Sequence, residues 1–310
     1  MRSIVAFIFL FVSADLDAAW LKGNLHTHST ESDGDSTPAA LVEWYRAHGY
    51  DFLSITDHDK VTRTAATGLV LIDGEEVTDR LPKKPLHVNA IGITKVVLPQ
   101  RGRTPVEVLQ RNIDAVRAAG GIALINHPNF GWAFGAKELL QVDDATLLEV
   151  ASGHPFVNSD GPPSVESMWD AMLTAEKRIY AAAVDDVHHL QRPWAEDIAP
   201  PGKAWVVVRA ERDARAIVEA LAFGDFYAST GVELEDYLVN PKRLTVCIRP
   251  KSGARYQTLF IGSGGKVLQK TSGTTATYAV RGDEQYVRAK VIDSNGRVAW
   301  LQPLFVRSRR

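Results

Sequence analysis

The sequence is poor in cysteine, with Cys247 as its single thiol. One cysteine excludes an internal disulfide and any cysteine-based zinc site, so metal chemistry would have to rest on histidines and carboxylates. A strong charge of either sign is also missing, because the formal net charge is −2. The sequence thus indicates no nucleic-acid surface and no acidic tail. No apolar run is long enough to span a bilayer. These absences favour an enzyme or binding protein for a small molecule, and they leave the oligomeric state open.

The first residues have the layout of a secretory signal peptide. Arg2 precedes an unbroken apolar run over residues 4–12, and small residues at 13–14 and 18–19 offer two cleavage positions. A first buried strand or core helix is the alternative interpretation, but a clear first strand follows at Trp20–His26. We therefore expect residues 1–19 to be a signal peptide and the mature protein to be periplasmic or secreted.

Strands and helices alternate over the following two hundred residues or so. Thr37-Pro38 and Thr104-Pro105 each supply a capping threonine and a first-turn proline, and both predicted helices end at glycines. Further helices are predicted from about 164 to 177 and from 213 to 223. The apolar runs between the helices give about seven strands, which predicts an α/β fold related to the eight-stranded parallel barrel, but distorted or incomplete. We expect this domain to cover residues 20–239.

The pattern changes beyond about residue 239. Short alternating runs lie between turns such as Ser263-Gly264-Gly265 and Ser294-Asn295-Gly296. This spacing predicts a small antiparallel, sandwich-like β domain over residues 240–310. It contains no histidine, and its expected role is to pack against the first domain.

Polar residues of the kind that bind metals collect where the predicted strands end. His26 and His28 alternate along an extended backbone, so their imidazoles project from one side and can bind one ion together. Every histidine except His48 lies in or just after a predicted strand. Because the carboxyl ends of barrel strands share one face, we expect most of these residues to converge there. His87 does not fit this rule, since it lies near the start of its apolar run.

The motif series HTHS, SDG, TDHD, GEE, NHP and D-x-H, in this order, resembles the PHP (polymerase and histidinol phosphatase) superfamily of metal-dependent phosphoesterases over about residues 20–239. The stretch Trp205 to Gly231 and the β tail resemble its CehA/McbA-type metallohydrolase branch. The resemblance implies a distorted (β/α)7 barrel of the PHP type and three divalent metal ions. By motif, it assigns His26, His28, Glu76 and Asp186 to one metal, a shared Glu76 with His87 and His127 to a second, and Asp33, His58 and His188 to a third.

Imidazoles and carboxylates suit zinc, manganese or iron, whereas magnesium alone would prefer oxygen ligands. Close metals lower the pKa of a bridging water and stabilise charge on the scissile group. We therefore expect hydrolysis by a metal-bridging hydroxide, without a covalent enzyme intermediate. The residues expected at the catalytic centre are His26, His28, Glu76, Asp186 and His188.

Several further residues have a functional and a structural interpretation. Asp57 could orient a ligand imidazole or merely cap a strand end. Lys60 and Arg63, which follow TDHD, could bind an anionic substrate or lie in a solvated loop. Asn129, His154 and His189 could contact the substrate or have a structural role. No arginine directly follows Asn-His-Pro, which argues against a nucleotide substrate. The candidate substrate contacts are Lys60, Arg63, Asn129, His154 and His189.

Three functions are compatible with these patterns. The first is a phosphoesterase for small phosphomonoesters or diesters, including nucleotide-derived ones, as the motif series indicates. The second is a metallohydrolase of carbamates, esters or amides of the carbaryl-hydrolase type, which the β tail and the sparse basic residues favour. The third is a non-catalytic metal-binding or ligand-binding module, against which the complete ligand set argues.

Overall fold

The computed structural model describes residues 19–191 and 197–306 as a mixed α/β structure. The expected signal peptide lies outside the described residues except for Ala19, which begins the first strand, and export therefore stays a prediction. No helix in the described parts of the chain is both long and apolar enough to cross a membrane.

The described residues contain many strands and few helices. Short 3-10 helices lie at Phe130–Trp132 and Ser263–Gly265. In chain order the elements are β1 Ala19–Asn24, α1 Pro38–Ala47, β2 Phe52–Leu53, β3 Val70–Leu71, β4 Gly74–Leu81, β5 Lys84–Ile91, α2 Pro105–Ala118, β6 Ile122–Ile125, α3 Ala136–Leu139, β7 Leu147–Ser152, α4 Val165–Thr174, β8 Tyr180–Val184, β9 Trp205–Ala210, α5 Ala214–Phe223, β10 Phe226–Ser229, β11 Leu234–Asn240, β12 Arg243–Ile248, β13 Tyr256–Gly262, β14 Lys266–Ser272, β15 Thr275–Ala279, β16 Tyr286–Asp293, β17 Val298–Leu301 and β18 Leu304–Phe305.

The helix boundaries follow from local capping. Thr37 accepts a hydrogen bond from the N–H of Ala40 at the start of α1, and Thr104 does the same for Glu107 at the start of α2. Asp213 caps α5, which ends at Gly224 in the left-handed region with φ 78°. These caps satisfy backbone groups that a helix end leaves unpaired. The predicted starts of these three helices are thereby confirmed.

The strands form three sheets. One has the order β14-β13-β16-β17-β10-β9-β1-β2-β3, with β18 beside β16; another has the order β4-β5-β6-β7-β8; and the third is β11-β12-β15. Among the described residues none of these sheets closes on itself, so the predicted barrel is not confirmed in detail. Two isolated bridges, Thr27–Val187 and His58–Glu76, connect the ends of the first two sheets.

Strand β4 is the main difference from the sequence prediction. The sequence predicts that the apolar run at 69–72 ends in Gly74-Glu75-Glu76-Val77-Thr78, whereas residues 74–81 form a separate strand antiparallel to β5. Its buried carboxylates, Glu75, Glu76 and Asp79, obscure the alternation that would mark a strand. Each of them has a specific hydrogen-bonding or ion-pairing partner, which is how charged groups persist in an interior.

The first two sheets enclose an apolar interior beneath the ends of β1 and β7. Leu25, Phe52, Leu124 and Leu147 lie there, and α2, α3 and α4 cover the opposite face of the second sheet. Because strand residues alternate between faces, each strand carries apolar side chains down into this interior. The polar side chains beyond the strand ends are thereby held above it.

The tail continues the first sheet instead of standing apart from it. Strand β10 pairs with β17, and the tail core includes Val207 and Tyr227 from the first part of the chain. A boundary at residues 239 and 240 stays a prediction, since one sheet runs across it.

Candidate metal centre

The predicted first motif lies directly beyond β1. Residues 26–28 continue the extended backbone, with Thr27 bridged to Val187, and the imidazole centroids of His26 and His28 are 5.1 Å apart. Both rings are buried. Their Nε2 atoms have no hydrogen-bonding partner of acceptable geometry among the described residues. Buried imidazole nitrogens without protein partners are expected where the two rings bind a metal ion together.

Two carboxylate oxygens each lie beside both of these rings. Oε2 of Glu76 lies 3.4 Å from Nε2 of His26 and 3.3 Å from Nε2 of His28. Oδ1 of Asp186 lies 3.2 and 3.3 Å from the same two nitrogens. Ligands about 2.0–2.2 Å from a tetrahedral metal are about 3.3–3.6 Å from one another. These nitrogen–oxygen distances therefore fit shared binding of a divalent ion, and His26, His28 and Asp186 form one of the groups that could hold it.

A second set shares Glu76 through its other oxygen. Oε1 of Glu76 lies 2.9 Å from Nδ1 of His87 and 3.4 Å from Nε2 of His127, and Asn126 donates to it at 2.7 Å. His87 reaches this place because β5 runs antiparallel to β6. The early part of β5 therefore lies beside the carboxyl end of β6. His87 thus joins the cluster although it does not lie at the carboxyl end of its own strand.

The third set lies closest to solvent. Oδ2 of Asp33 is 3.2 Å from Nε2 of His58 and 3.4 Å from Nε2 of His188, and the Asp33 side chain is 52% exposed. The other ring nitrogen of His58 is 2.6 Å from the hydroxyl of Thr78. The three sets together bring all of the ligands implied by the resemblance into one cluster.

The two consecutive aspartates after β8 have different places. Asp186 joins the first set, with its backbone in the left-handed region at φ 51°. Asp185 faces away and accepts hydrogen bonds from the hydroxyl of Tyr45 and from three backbone N–H groups over residues 202–204. A non-glycine residue with positive φ is uncommon, and here it turns the Asp186 carboxylate toward the histidines.

Negative charge in the cluster is balanced only by histidines among the described residues. Burial disfavours a charged Glu76, but His87 and His26 outweigh it and hold its pKa well below the ordinary value. Burial opposes protonation of His26 as well, yet Asp186 and Glu76 raise its pKa well above normal. Buried carboxylates without lysine or arginine need another cation. The donor set thus fits divalent metal ions.

Four of the remaining candidates have other partners. Lys60 pairs with Glu31, and Arg63 pairs with Asp73 at 2.8 Å, both at exposed positions. The amide of buried Asn129 donates to the carbonyls of residues 158 and 163. His189 accepts the N–H of Ala199 through Nδ1. None of the four is among the residues that line the cavity beside the metal ligands.

Asp57 does not touch an imidazole. Its carboxylate accepts hydrogen bonds from the N–H and hydroxyl of Ser29 and from the hydroxyls of Ser32 and Thr62, at 2.5–2.7 Å. Because hydroxyls and a backbone amide occupy it, Asp57 holds the loop that carries Asp33, instead of orienting a ligand ring.

A cavity of about 230 Å³ opens beside the ligands. Three aromatic side chains, Phe130, His154 and Phe156, line it together with members of the three ligand sets. Burial, with nearby histidines, lowers the pKa of His154 to about 4, although Asp186 opposes this shift. Nδ1 of His154 accepts the N–H of Phe156, so neutral His154 carries its proton on Nε2.

The sequence analysis missed Glu149. This residue lies in the apolar strand β7, is fully buried, and places Oε2 3.1 Å from Nδ1 of His26. A carboxylate inside the apolar run Leu147–Val150 was the available signal, because such a charge needs a buried partner.

Comparisons with known proteins agree with this architecture. No family model matches the chain. A solved structure from Bacteroides vulgatus, a two-domain protein described as containing a predicted PHP-like metal-dependent phosphoesterase, superimposes with a TM-score of 0.51 at 17% identity, covering 92% of this chain and 96% of that one. The chain therefore shares the overall mixed α/β fold of that structure.

Two curated proteins are related in sequence over part of their length. A 5'-3' exoribonuclease of Haemophilus influenzae is 31% identical over 81 residues, which is 24% of this chain. The DNA polymerase/3'-5' exonuclease PolX of Bacillus subtilis is 19% identical over 246 residues, or 67% of this chain. The chain spans 30% and 42% of the lengths of these two relatives. The similarity in sequence to these two proteins is therefore partial, and the residues that could hold a metal lie at the strand ends of the shared fold.

Proposed function

We propose that this protein is a metal-dependent hydrolase, a phosphoesterase that cleaves small phosphomonoesters or diesters. The observation that carries the proposal is the convergence of three ligand sets at metal-like spacings beside one cavity. The proposal is supported by the shared fold with the Bacteroides vulgatus protein, which is described as containing a predicted PHP-like metal-dependent phosphoesterase. We include nucleotide-derived esters among the proposed substrates because the two curated relatives are named as an exoribonuclease and as a DNA polymerase/exonuclease.

The ligand residues would hold three divalent ions of zinc, manganese or iron. When bound, such ions polarise the scissile group and lower the pKa of a water molecule enough to supply a nucleophile near neutral pH. Glu76 can serve two ions at once, since its oxygens face different sets. The remaining catalytic candidates are His26, His28, Asp186 and His188. His154 can donate a hydrogen bond from Nε2 toward a bound substrate.

A second candidate function is hydrolysis of uncharged carbamates, esters or amides, as in the CehA/McbA-type branch. It is favoured by the cavity lining, in which the residues outside the ligand sets are aromatic and no described lysine or arginine takes part. Lys60 and Arg63, the nearest basic residues in sequence to TDHD, pair with acids elsewhere. A phosphate group would then be recognised by the metals and His154, without a lysine or arginine.

A substrate panel tests the proposal. Zinc- or manganese-loaded protein is assayed with nitrophenyl phosphate, bis-nitrophenyl phosphate, a nitrophenyl ester and an aryl carbamate. We expect turnover of at least one phosphate ester, and at least a 100-fold loss in the double variant His26→Ala, His28→Ala. His48→Ala is the matched control, because this exposed histidine stacks on Trp44. Turnover confined to the ester or carbamate would select the second candidate, and a metal-loaded but inactive protein would indicate a binding module.

Export is part of the same proposal. It is supported by the layout of residues 1–19, and sequencing the amino terminus of the protein recovered from a bacterial periplasm tests it. Protein found only in the cytoplasm, with Met1 still present, would reject export.

A further inference from the structure

Among the residues that the structure describes, Glu149 is the one fully buried carboxylate that contacts a predicted ligand and belongs to no motif. Its Oε2 atom lies 3.1 Å from Nδ1 of His26, and both side chains have no solvent exposure. Its second oxygen, Oε1, has no hydrogen-bonding partner among the described residues. Since burying an unpaired charge costs several kcal/mol, roughly, a packing role alone does not explain a glutamate here.

The backbone of β7 aims this side chain. Strand alternation places Leu147 and Glu149 on the face of the enclosed interior, whereas Leu148 and Val150 belong to the core beneath the helices. The pairing of β7 with β8 shifts register between Glu149 and Ala151. A register shift of this kind changes which side chains face one another across the pair, and such irregularities are common next to functional sites.

The contact fixes the orientation of the His26 ring. A carboxylate oxygen that accepts this hydrogen bond takes it from Nδ1–H, so the ring turns Nδ1 toward Glu149. Nε2 then points the other way and lies among Glu76 and Asp186 at 3.2–3.4 Å, where a neutral ring with its proton on Nδ1 offers a lone pair to a metal. A carboxylate behind a ligand imidazole also makes the ring a better donor to a metal.

We propose that Glu149 is the positioning residue of His26, holding the tautomer and ring orientation with which His26 binds a metal. The inference rests on the proposed metal centre, but not on which ester is cleaved. Neither the strand-end pattern nor the resemblance points to this residue.

Zinc affinity of the full-length protein, measured by competition with a chromophoric chelator, tests the role. We expect E149L to weaken the tightest zinc site about 10- to 100-fold. E149Q keeps the shape of the side chain and an acceptor oxygen but removes the charge. It should therefore lose affinity, although less than E149L. A purely steric role predicts wild-type affinity in E149Q. Nitrogen NMR of the zinc-loaded wild type should find the proton on Nδ1 of His26.

Glu75 is the matched control. It is also a fully buried glutamate with one partnerless oxygen, but it accepts the N–H of Val97 and faces away from Glu76 along β4. E75Q should stay within about threefold of wild-type affinity. Circular dichroism of each metal-free variant checks folding, and E149Q decides the question where E149L fails to fold.

The outcomes separate this inference from the proposed function. Wild-type affinity in E149Q and E149L, or an equal loss in E75Q, overturns the role of Glu149 and leaves the metal centre standing. A wild-type protein that binds no zinc, manganese or iron removes the metal centre itself.

Discussion

At the scale of single residues, the centre concentrates charge that only cations can balance. Glu76 contacts five histidines, and Asp186 contacts three. Burial opposes protonation of His26, His28, His58 and His127, but the carboxylates beside them outweigh it and raise the pKa of each ring above the ordinary value. Protons and metal ions therefore compete for the same nitrogens.

Metal binding should release protons and weaken as the pH falls. Burial opposes protonation of His58, but Asp33 and Glu76 outweigh it and raise its pKa to about 10. At neutral pH the ring is therefore protonated and must lose its proton to bind a metal, and each further fall in pH makes that loss harder. Calorimetric zinc titrations in buffers of different ionisation enthalpy should detect at least about one proton released per protein. Identical heats in all buffers would contradict this.

At the scale of elements, much of the local structure was predictable because it depends on neighbouring residues. Capping by Thr37, Thr104 and Asp213 is local, so those helix starts follow from the sequence. The position of His87 is not local. It depends on the direction in which β5 pairs with β6, which is decided by tertiary contacts.

The strands that carry the buried glutamates were hard to predict for a related reason. Glu75 and Glu76 break the apolar pattern of β4, and Glu149 is hidden within an apolar strand. Each makes sense only with a partner from a distant part of the chain. The order of the motifs therefore indicated the metal ligands, whereas the contact of Glu149 with His26 could be recognised only in the structure.

Helix α5 offers an element-scale prediction at its C-terminal glycine. Gly224 has φ 78°, and a Cβ there would lie 2.5 Å from the ring of Tyr180. Gly224→Ala should therefore lower the free energy of unfolding by about 2–4 kcal/mol, from backbone strain and overpacking together. Gly120 is the control, with φ 86° and nothing within 4 Å; Gly120→Ala should cost about 1 kcal/mol. Equal losses in urea unfolding would show that the Tyr180 contact does not matter.

At the scale of the whole molecule, a buried ionic cluster joins the tail to the metal-binding part. Arg288 on β16 donates to Asp170 on α4 at 2.7 and 2.6 Å and to Glu166 at 2.8 Å. Its guanidinium also lies over the ring of Trp169, 4.7 Å from the centroid. Arg288 is only 1% exposed, so its charge depends on these partners. The cluster therefore couples the stability of the tail to that of the rest of the chain.

Removing one partner of this cluster should destabilise the whole chain and not the tail alone. Asp170→Ala leaves a buried guanidinium with fewer partners and should lower the free energy of unfolding by about 3–5 kcal/mol. The double variant Asp170→Leu, Arg288→Met removes both charges and should recover most of that loss, since an apolar pair of similar size replaces a buried ion pair at little cost. Because one sheet runs from β3 to β14 through β10 and β17, urea unfolding of Asp170→Ala followed by tryptophan fluorescence and by circular dichroism should give one coincident transition. Two separated transitions would mean that the tail unfolds independently of the metal-binding part.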